Sequence, residues 1–202
     1  TPLHNFMKAK QSQQSLLLLT LLATIVVGLG AYTRLSDSGL GCPDWPGCYG
    51  RLIVDAKTTP EIQNSSANFK AWTEMIHRYI AGILAIGIVA YTLTTLRLQT
   101  SFDTHAKRLH LIVCLIVVQA AFGAWTVTWK LHPMAVMPHL IGGMSITTLL
   151  YSTYLLNQPH TPQALPNRVL FNLYLCVLTI GIQIVLGGWT STNYAQLICP
   201  DF

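Results

Sequence analysis

The chain is 202 residues long, 51% hydrophobic and only 9% charged, which excludes an ordinary soluble domain and points to a polytopic membrane protein. Its formal net charge of +5 comes from bases scattered over the connections without a run or stripe, which argues against nucleic acid as a partner. Of the five cysteines, Cys114 and Cys176 lie in apolar runs, whereas Cys42, Cys48 and Cys199 lie in polar stretches.

The polar stretch 1–15, with Lys8 and Lys10, reads as an inner amino-terminal tail ahead of a first span over 16–31. A signal peptide has the same outline. The apolar run is long for one, and Gly28-Leu29-Gly30-Ala31-Tyr32-Thr33-Arg34 is a poor cleavage context, so an uncleaved span is the better reading. The chain opens on Thr1 and stops at Pro200-Asp201-Phe202, and both ends are expected to be trimmed.

A long polar loop over 33–71 follows. In it, Cys42 and Cys48 flank two prolines and Gly47. A metal site is the alternative, but no histidine or further cysteine stands nearby to complete a tetrahedral set. A disulfide is favoured. Across so short a loop it adds little chain-entropy stabilisation, which leaves local shape or redox chemistry as its use. It would also place the loop on the oxidising side of the membrane.

Further spans are expected at 72–96, 109–129, 135–156 and 168–189, each roughly 20 residues, the length that a ~30 Å hydrocarbon core requires. Trp125 and Trp129 suit the interfacial aromatic belt. The turn Lys130-Leu131-His132-Pro133 leads into the fourth span, and a Pro- and Asn-rich inner linker, 157–167, leads into the fifth. Lys8, Lys10, Arg97, Lys107, Arg108 and Arg168 fall on one side of the membrane. Arg34, Arg51, Lys57, Lys70 and Lys130 fall on the other, mostly in one long loop where charge has less influence. With the cysteine pair, this bias favours an inner amino terminus and an outer loop.

The end of the chain repeats an earlier part. Leu29-Gly30-Ala31-Tyr32-Thr33 aligns with Leu186-Gly187-Gly188-Trp189-Thr190. At the same offset Leu40-Gly41-Cys42-Pro43-Asp44-Trp45 aligns with Leu197-Ile198-Cys199-Pro200-Asp201-Phe202. Two apolar helix ends share Leu and Gly by chance, but hardly Cys-Pro-Asp in the same register. The expected fold is therefore all-α: a four-helix transmembrane bundle over 16–156, then the first helix and loop start of a second pseudo-repeat over 168–202.

Ionisable residues inside spans are expensive unless they have partners or work. Glu74 and His77, at i and i+3, share a helical face. His77 lies some five residues inside its span, roughly 7–8 Å deep at ~1.5 Å per residue, and His139 lies about as far inside another. Two imidazoles at matched depth on neighbouring helices can take both axial positions of a haem iron. A helix–helix hydrogen bond is the alternative for either one alone. Gly82, Gly142 and Gly143 would remove bulk where a flat macrocycle must pass. His132 lies in the outer turn, suited to solvent or a propionate, and His4, His105, His110 and His160 fall in or beside inner connections. Glu74 reads either as an interfacial anion paired to Arg78 at i+4 or as a group that moves protons beside the His77 site.

These residues resemble those of heme A synthase, the membrane enzyme family that oxidises the C8 methyl group of haem O to the formyl group of haem A. The likeness runs through Arg34-Leu35, Gly39-Leu40-Gly41-Cys42-Pro43-Asp44-Trp45-Pro46-Gly47-Cys48-Tyr49-Gly50 and Glu74-Met75-Ile76-His77-Arg78. It continues in His139-Leu140-Ile141-Gly142-Gly143, Gly187-Gly188-Trp189, Asn193-Tyr194-Ala195 and Cys199-Pro200-Asp201-Phe202. The resemblance implies eight spans in two pseudo-symmetric halves. It makes His77 and His139 the axial ligands of the haem O substrate (haem A as product) and Glu74 the essential carboxylate. Cys42 and Cys48 become an outer-loop disulfide, and Cys199 half of a second one. The family's haem B belongs to the second half, whose ligands have no counterpart here. The resemblance also implies an integral protein of the bacterial inner membrane with the cysteine loop on the periplasmic side. Its partners would be the lipid bilayer, haem O synthase and cytochrome oxidase assembly factors, with an electron acceptor or donor that the residues do not identify. Two readings compete. One is a bis-His b-type electron-transfer protein. The other is a thiol–disulfide exchanger, which usually presents Cys-X-X-Cys and so fits the wider spacing poorly.

Overall fold

A computed structural model of the chain describes residues 2–57, 59–98, 104–158 and 164–195. It contains five α-helices: α1 (Pro2–Leu35), α2 (Ser65–Leu98), α3 (Thr104–Thr128), α4 (Pro133–Leu156) and α5 (Asn167–Thr192), with one 3-10 turn at Pro60–Ile62. No strand occurs among the described residues. Every helix includes a stretch long and apolar enough to cross a bilayer, and the protein is an all-α integral membrane protein. In such a solvent only intra-helical bonding satisfies the backbone, and the spans meet that condition.

Two boundaries differ from the sequence expectation. The stretch 1–15 was expected as a tail, yet α1 begins at Pro2. Pro2 suits a first helical position, and the residues after it contain no further Pro or Gly to interrupt the helix. Likewise α2 starts at Ser65, seven residues before the expected 72, so helix rather than loop carries the chain down to the membrane.

Four helices close a ring in the order α1, α2, α3, α4, with α4 returning to α1; among the described residues the backbones of the diagonal pairs α1/α3 and α2/α4 do not approach closely, and those helices meet only through side chains. With the end that carries the 33–71 loop taken as outer and the opposite end as inner, the inner half of the ring is filled by Leu16, Ala23, Leu84, Ile88, Ile112, Ile146 and Leu150. A second cluster, Cys42, Cys48, Val54, Ile62, Ala71 and Met75, sits where the outer loop folds onto α2. Polar staples close the inner end: Ser12 meets the Tyr91 hydroxyl at 2.8 Å, and the Gln13 amide donates to the Asn157 carbonyl at 2.8 Å. At the outer end, α3 stops in a Schellman-type turn. Leu131 N–H donates to the Thr126 carbonyl at 2.7 Å and Lys130 N–H to that of Val127 at 3.0 Å. Lys130 and Leu131 both take positive φ there, 49° and 59°. His132 then caps α4, its ring accepting from Met134 N–H, ahead of Pro133 in the first turn.

The fifth helix packs along α4 and leaves nearly all its side chains exposed. Arg34, at the outer end of α1, reaches across to it. Its guanidinium donates to the Tyr194 hydroxyl at 3.0 Å and to the Ser191 carbonyl, and lies 4.3 Å from the Tyr194 ring centre.

Candidate haem site

His77 of α2 and His139 of α4 come together in the outer half of the ring. Their ring centres stand 6.5 Å apart with the planes at 84°. The two helices are diagonal rather than neighbouring, which corrects the sequence expectation, and the gap between them is spanned by the imidazoles. The depths reckoned from the helix starts also differ, since His77 is the thirteenth residue of α2 and His139 the seventh of α4. The rings meet because α2 projects farther outward than α4.

Each ring rests on the helix that precedes its own. The position a Cβ would take on Gly30 of α1 lies 3.0 Å from Cε1 of His77, with Nδ1 and Nε2 both at 3.6 Å. On Gly123 of α3 it lies 3.1 Å from Cε1 of His139, with the two nitrogens at 3.7 and 3.8 Å. The Gln119 amide donates to the His139 backbone carbonyl at 2.5 Å, and its Oε1 lies over Gly142, where a Cβ would collide with it. Gly142 therefore makes room for Gln119, whereas a Cβ on Gly143 would meet the Gln119 amide nitrogen and Val27 only at ordinary contact distance, 3.4 and 3.6 Å. Nothing presses on Gly82.

The pair meets the requirements of a porphyrin iron. A metal-bound imidazole nitrogen lies ~2 Å from its metal and roughly 1 Å from its own ring centre, so two rings on opposite sides of one iron stand roughly 6 Å apart. The Nδ1 atoms of both histidines are buried without a hydrogen-bond partner, an expensive arrangement for groups with no ligand to meet. Among the described residues no cluster of three or more metal-ligating side chains exists. Two protein ligands suit a metal whose remaining positions are filled by a macrocycle.

Glu74, only 4% exposed, is occupied above this pair. Its Oε2 accepts the Cys42 N–H at 2.8 Å and its Oε1 accepts Nη2 of Arg78 at 2.5 Å. Nη1 of Arg78 goes on to the carbonyls of Asp44 at 2.8 Å and Gly47 at 2.5 Å. The pairing with Arg78 thus exists, and it forms part of a clamp that holds the outer loop on α2. Cys42 and Cys48 are joined in a disulfide, and Asp44 turns the same loop by accepting from Tyr49 and Gly50 N–H at 2.6 and 2.8 Å. Gly41 allows the loop to lie directly on the backbone of Lys70 and Ala71.

Of the remaining expected residues, Cys199 and His160 lie outside the described residues. His105 and His110 sit in the first turns of α3, with Nδ1 of His110 2.8 Å from the Ala106 carbonyl. Cys114 and Cys176 are free thiols on exposed helix faces. Sequence reasoning missed Gly30, Gly123 and Gln119. A signal was present for the two glycines, since Gly30-Ala31-Tyr32-Thr33 and Gly123-Ala124-Trp125-Thr126 share one pattern in α1 and α3.

Residues 13–202 match the COX15-CtaA family, described as cytochrome oxidase assembly proteins. The chain belongs to this family. Among its relatives, a heme A synthase of Shewanella oneidensis is 46% identical over 197 residues, covering 91% of this chain and 58% of the relative. A heme A synthase of Lysinibacillus sphaericus is 34% identical over 181 residues, 86% of this chain and 55% of the relative. One of Geobacillus thermodenitrificans is 23% identical over 185 residues, 88% and 55%. The chain thus spans little more than half the length of these relatives. No solved structure gives a significant match.

Proposed function

We propose that this chain is the substrate-haem half of a heme A synthase, holding haem O between His77 and His139 while its C8 methyl group is oxidised to the formyl group of haem A. The observation that carries the reading is the pair of half-buried imidazoles, ring centres 6.5 Å apart and Nδ1 atoms buried, on helices whose backbones do not approach closely. The relatives named heme A synthase support it, and the family resemblance puts a haem B site in the second half of such a protein. Haem B, when bound there, supplies an electron-transfer centre next to the substrate.

The roles of this chain's residues follow from their places. His77 and His139 would hold the substrate iron between their rings. The Leu84, Ile88, Ile112, Ile146 and Leu150 cluster keeps water out from the inner side. Arg78 and the disulfide loop close the outer side. Glu74 is the carboxylate that takes up protons as the methyl carbon is oxidised, from within its contacts to Cys42 and Arg78. The cysteine loop faces the periplasm, and the chain lies in the bacterial inner membrane. Haem O synthase supplies the substrate, water supplies the aldehyde oxygen, an electron acceptor of unassigned identity takes the four electrons while four protons are released, and oxidase assembly factors receive the product.

Pigment extraction from the full-length protein tests this directly. Haem O and haem A are expected in the wild type, with the site lost in His77→Ala and His139→Ala. Preparations that carry haem B alone, unaltered by either substitution, would overturn the proposal. The full set of partners on Glu74 favours one rival, a bis-His electron carrier in which the carboxylate only anchors the loop. Glu74→Gln separates the two: the oxidase accumulates unoxidised haem O, whereas the carrier keeps its electron-transfer rate.

A further inference from the structure

Gly30 and Gly123 share an environment that the other glycines lack. Of the described glycines inside helices, Gly28, Gly82, Gly181 and Gly187 have nothing within 4 Å of an added Cβ, and Gly87, Gly142, Gly143 and Gly188 face aliphatic, sulfur or amide side chains. At Gly30 and Gly123 the three nearest atoms are in both cases imidazole atoms, with the same Cε1 edge foremost. Small residues at helix crossings ordinarily let two backbones approach. Here no backbone atom is among the nearest neighbours; the space is given to a ring. Glycine inside a helix also costs conformational entropy relative to alanine, so its place at both seats calls for a compensating use.

We propose that Gly30 and Gly123 are the positioning residues of the two axial imidazoles, setting the rotation of each ring about its bond to the haem iron and so the 84° angle between the ring planes. This rests on the haem reading given above and deepens it. Cε1 lies between the two ring nitrogens, so an obstacle at that edge turns the whole ring instead of sliding it along its plane. A methyl at either seat, 3.0 or 3.1 Å from Cε1, is tighter than ordinary van der Waals contact. The ring must then rotate or withdraw, and either movement takes the coordinating nitrogen off its line to the iron. Thr33 and Thr126 complete both motifs without entering the site, since each hydroxyl donates to a carbonyl of its own helix, Leu29 at 2.8 Å and Gly123 at 2.7 Å.

The test uses the full-length, haem-loaded protein with Gly30→Ala and Gly123→Ala, and with Gly28→Ala and Gly181→Ala as controls, since an added Cβ meets nothing at either control. The readouts are haem O and haem A content and the low-spin ferric electron paramagnetic resonance signal that remains once the contribution of haem B is subtracted, which responds to the angle between axial ring planes. The seat variants are expected to shift or broaden that signal, or convert part of it to high spin, with haem content lowered several-fold. The controls should match the wild type. If Gly30→Ala fails to accumulate, Gly30→Ala with His77→Ala decides the matter. Recovery of the double variant assigns the clash to the ring, and continued failure assigns it to helix packing and overturns the inference. An unchanged signal in both seat variants, where His77→Ala and His139→Ala abolish it, overturns the inference alone. A signal that survives His77→Ala and His139→Ala overturns the haem reading together with it.

Discussion

The two histidines occupy matching seats with different supports behind them. His139 is held from within the membrane: Gln119 bonds its backbone carbonyl, Gly142 leaves room for that amide, and a tight turn joins its helix to α3. His77 is held from outside, because the next residue, Arg78, spans Glu74 and two carbonyls of the disulfide loop. The contrast shows that one ring geometry can be reached through packing on one side and through a charged loop on the other. It follows that solvent-side changes act on His77, and changes within the bundle act on His139.

The largest effect is expected at the clamp. Arg78→Ala leaves Glu74 buried without its cation, and breaking a buried pair in this way costs roughly 3–5 kcal/mol. A large drop in the thermal midpoint in detergent should follow, well beyond that of Gln119→Leu. An equal drop in the two variants would erase the distinction between the two supports. Next comes the double change of Cys42 and Cys48 to Ser. Closing a loop this short is worth roughly 2 kcal/mol, so the haem protein should stay coloured but melt earlier, and limited proteolysis should cut first within residues 42–51. A colourless preparation would mean that the loop does more than hold Arg78.

A smaller effect belongs to the other side. Gln119→Leu removes the bond to the His139 carbonyl, worth about 1 kcal/mol. It should perturb the resonance signal without increasing proteolysis of the outer loop. The smallest effect lies at Asp37, whose exposed carboxylate pairs with Lys70 at 2.7 Å. The Lys70 hydrogen bond and charge hold the Asp37 carboxyl below its ordinary value of 3.8. Because the folded value is the lower one, the contribution is present above about pH 4 and is lost as the pH falls through the depressed value. For so exposed a pair it is worth about 0–1 kcal/mol. Asp37→Asn should leave the haem signal unchanged and flatten only the acid limb of a melting-temperature profile.

Much of the site was legible because intramembrane ionisable residues are rare and each demands a reason. Glu74, His77 and His139 stood out on that ground alone, and the cysteine pair stood out through its spacing. The seats were harder to see. A glycine in an apolar helix has many uses, and only the neighbour facing it tells which one applies. At Gly142, for instance, nothing in the local pattern says that a glutamine from another helix lies over it. The helix ends at Pro2 and Ser65 escaped because hydropathy marks the membrane-buried part of a helix and not its polar extension.

By itself, the amino-acid sequence determined that this is an all-helical membrane protein with five spans and that two of those spans each bring a histidine into the bilayer. Both follow from local quantities, run length and the cost of polar groups in hydrocarbon, which each segment carries on its own. Only the tertiary structure decided that the histidine helices stand on a diagonal, that each ring leans on a glycine of the preceding helix, and that Glu74 also fastens the loop. Those facts depend on which faces meet when four helices close a ring, and no single helix carries that information.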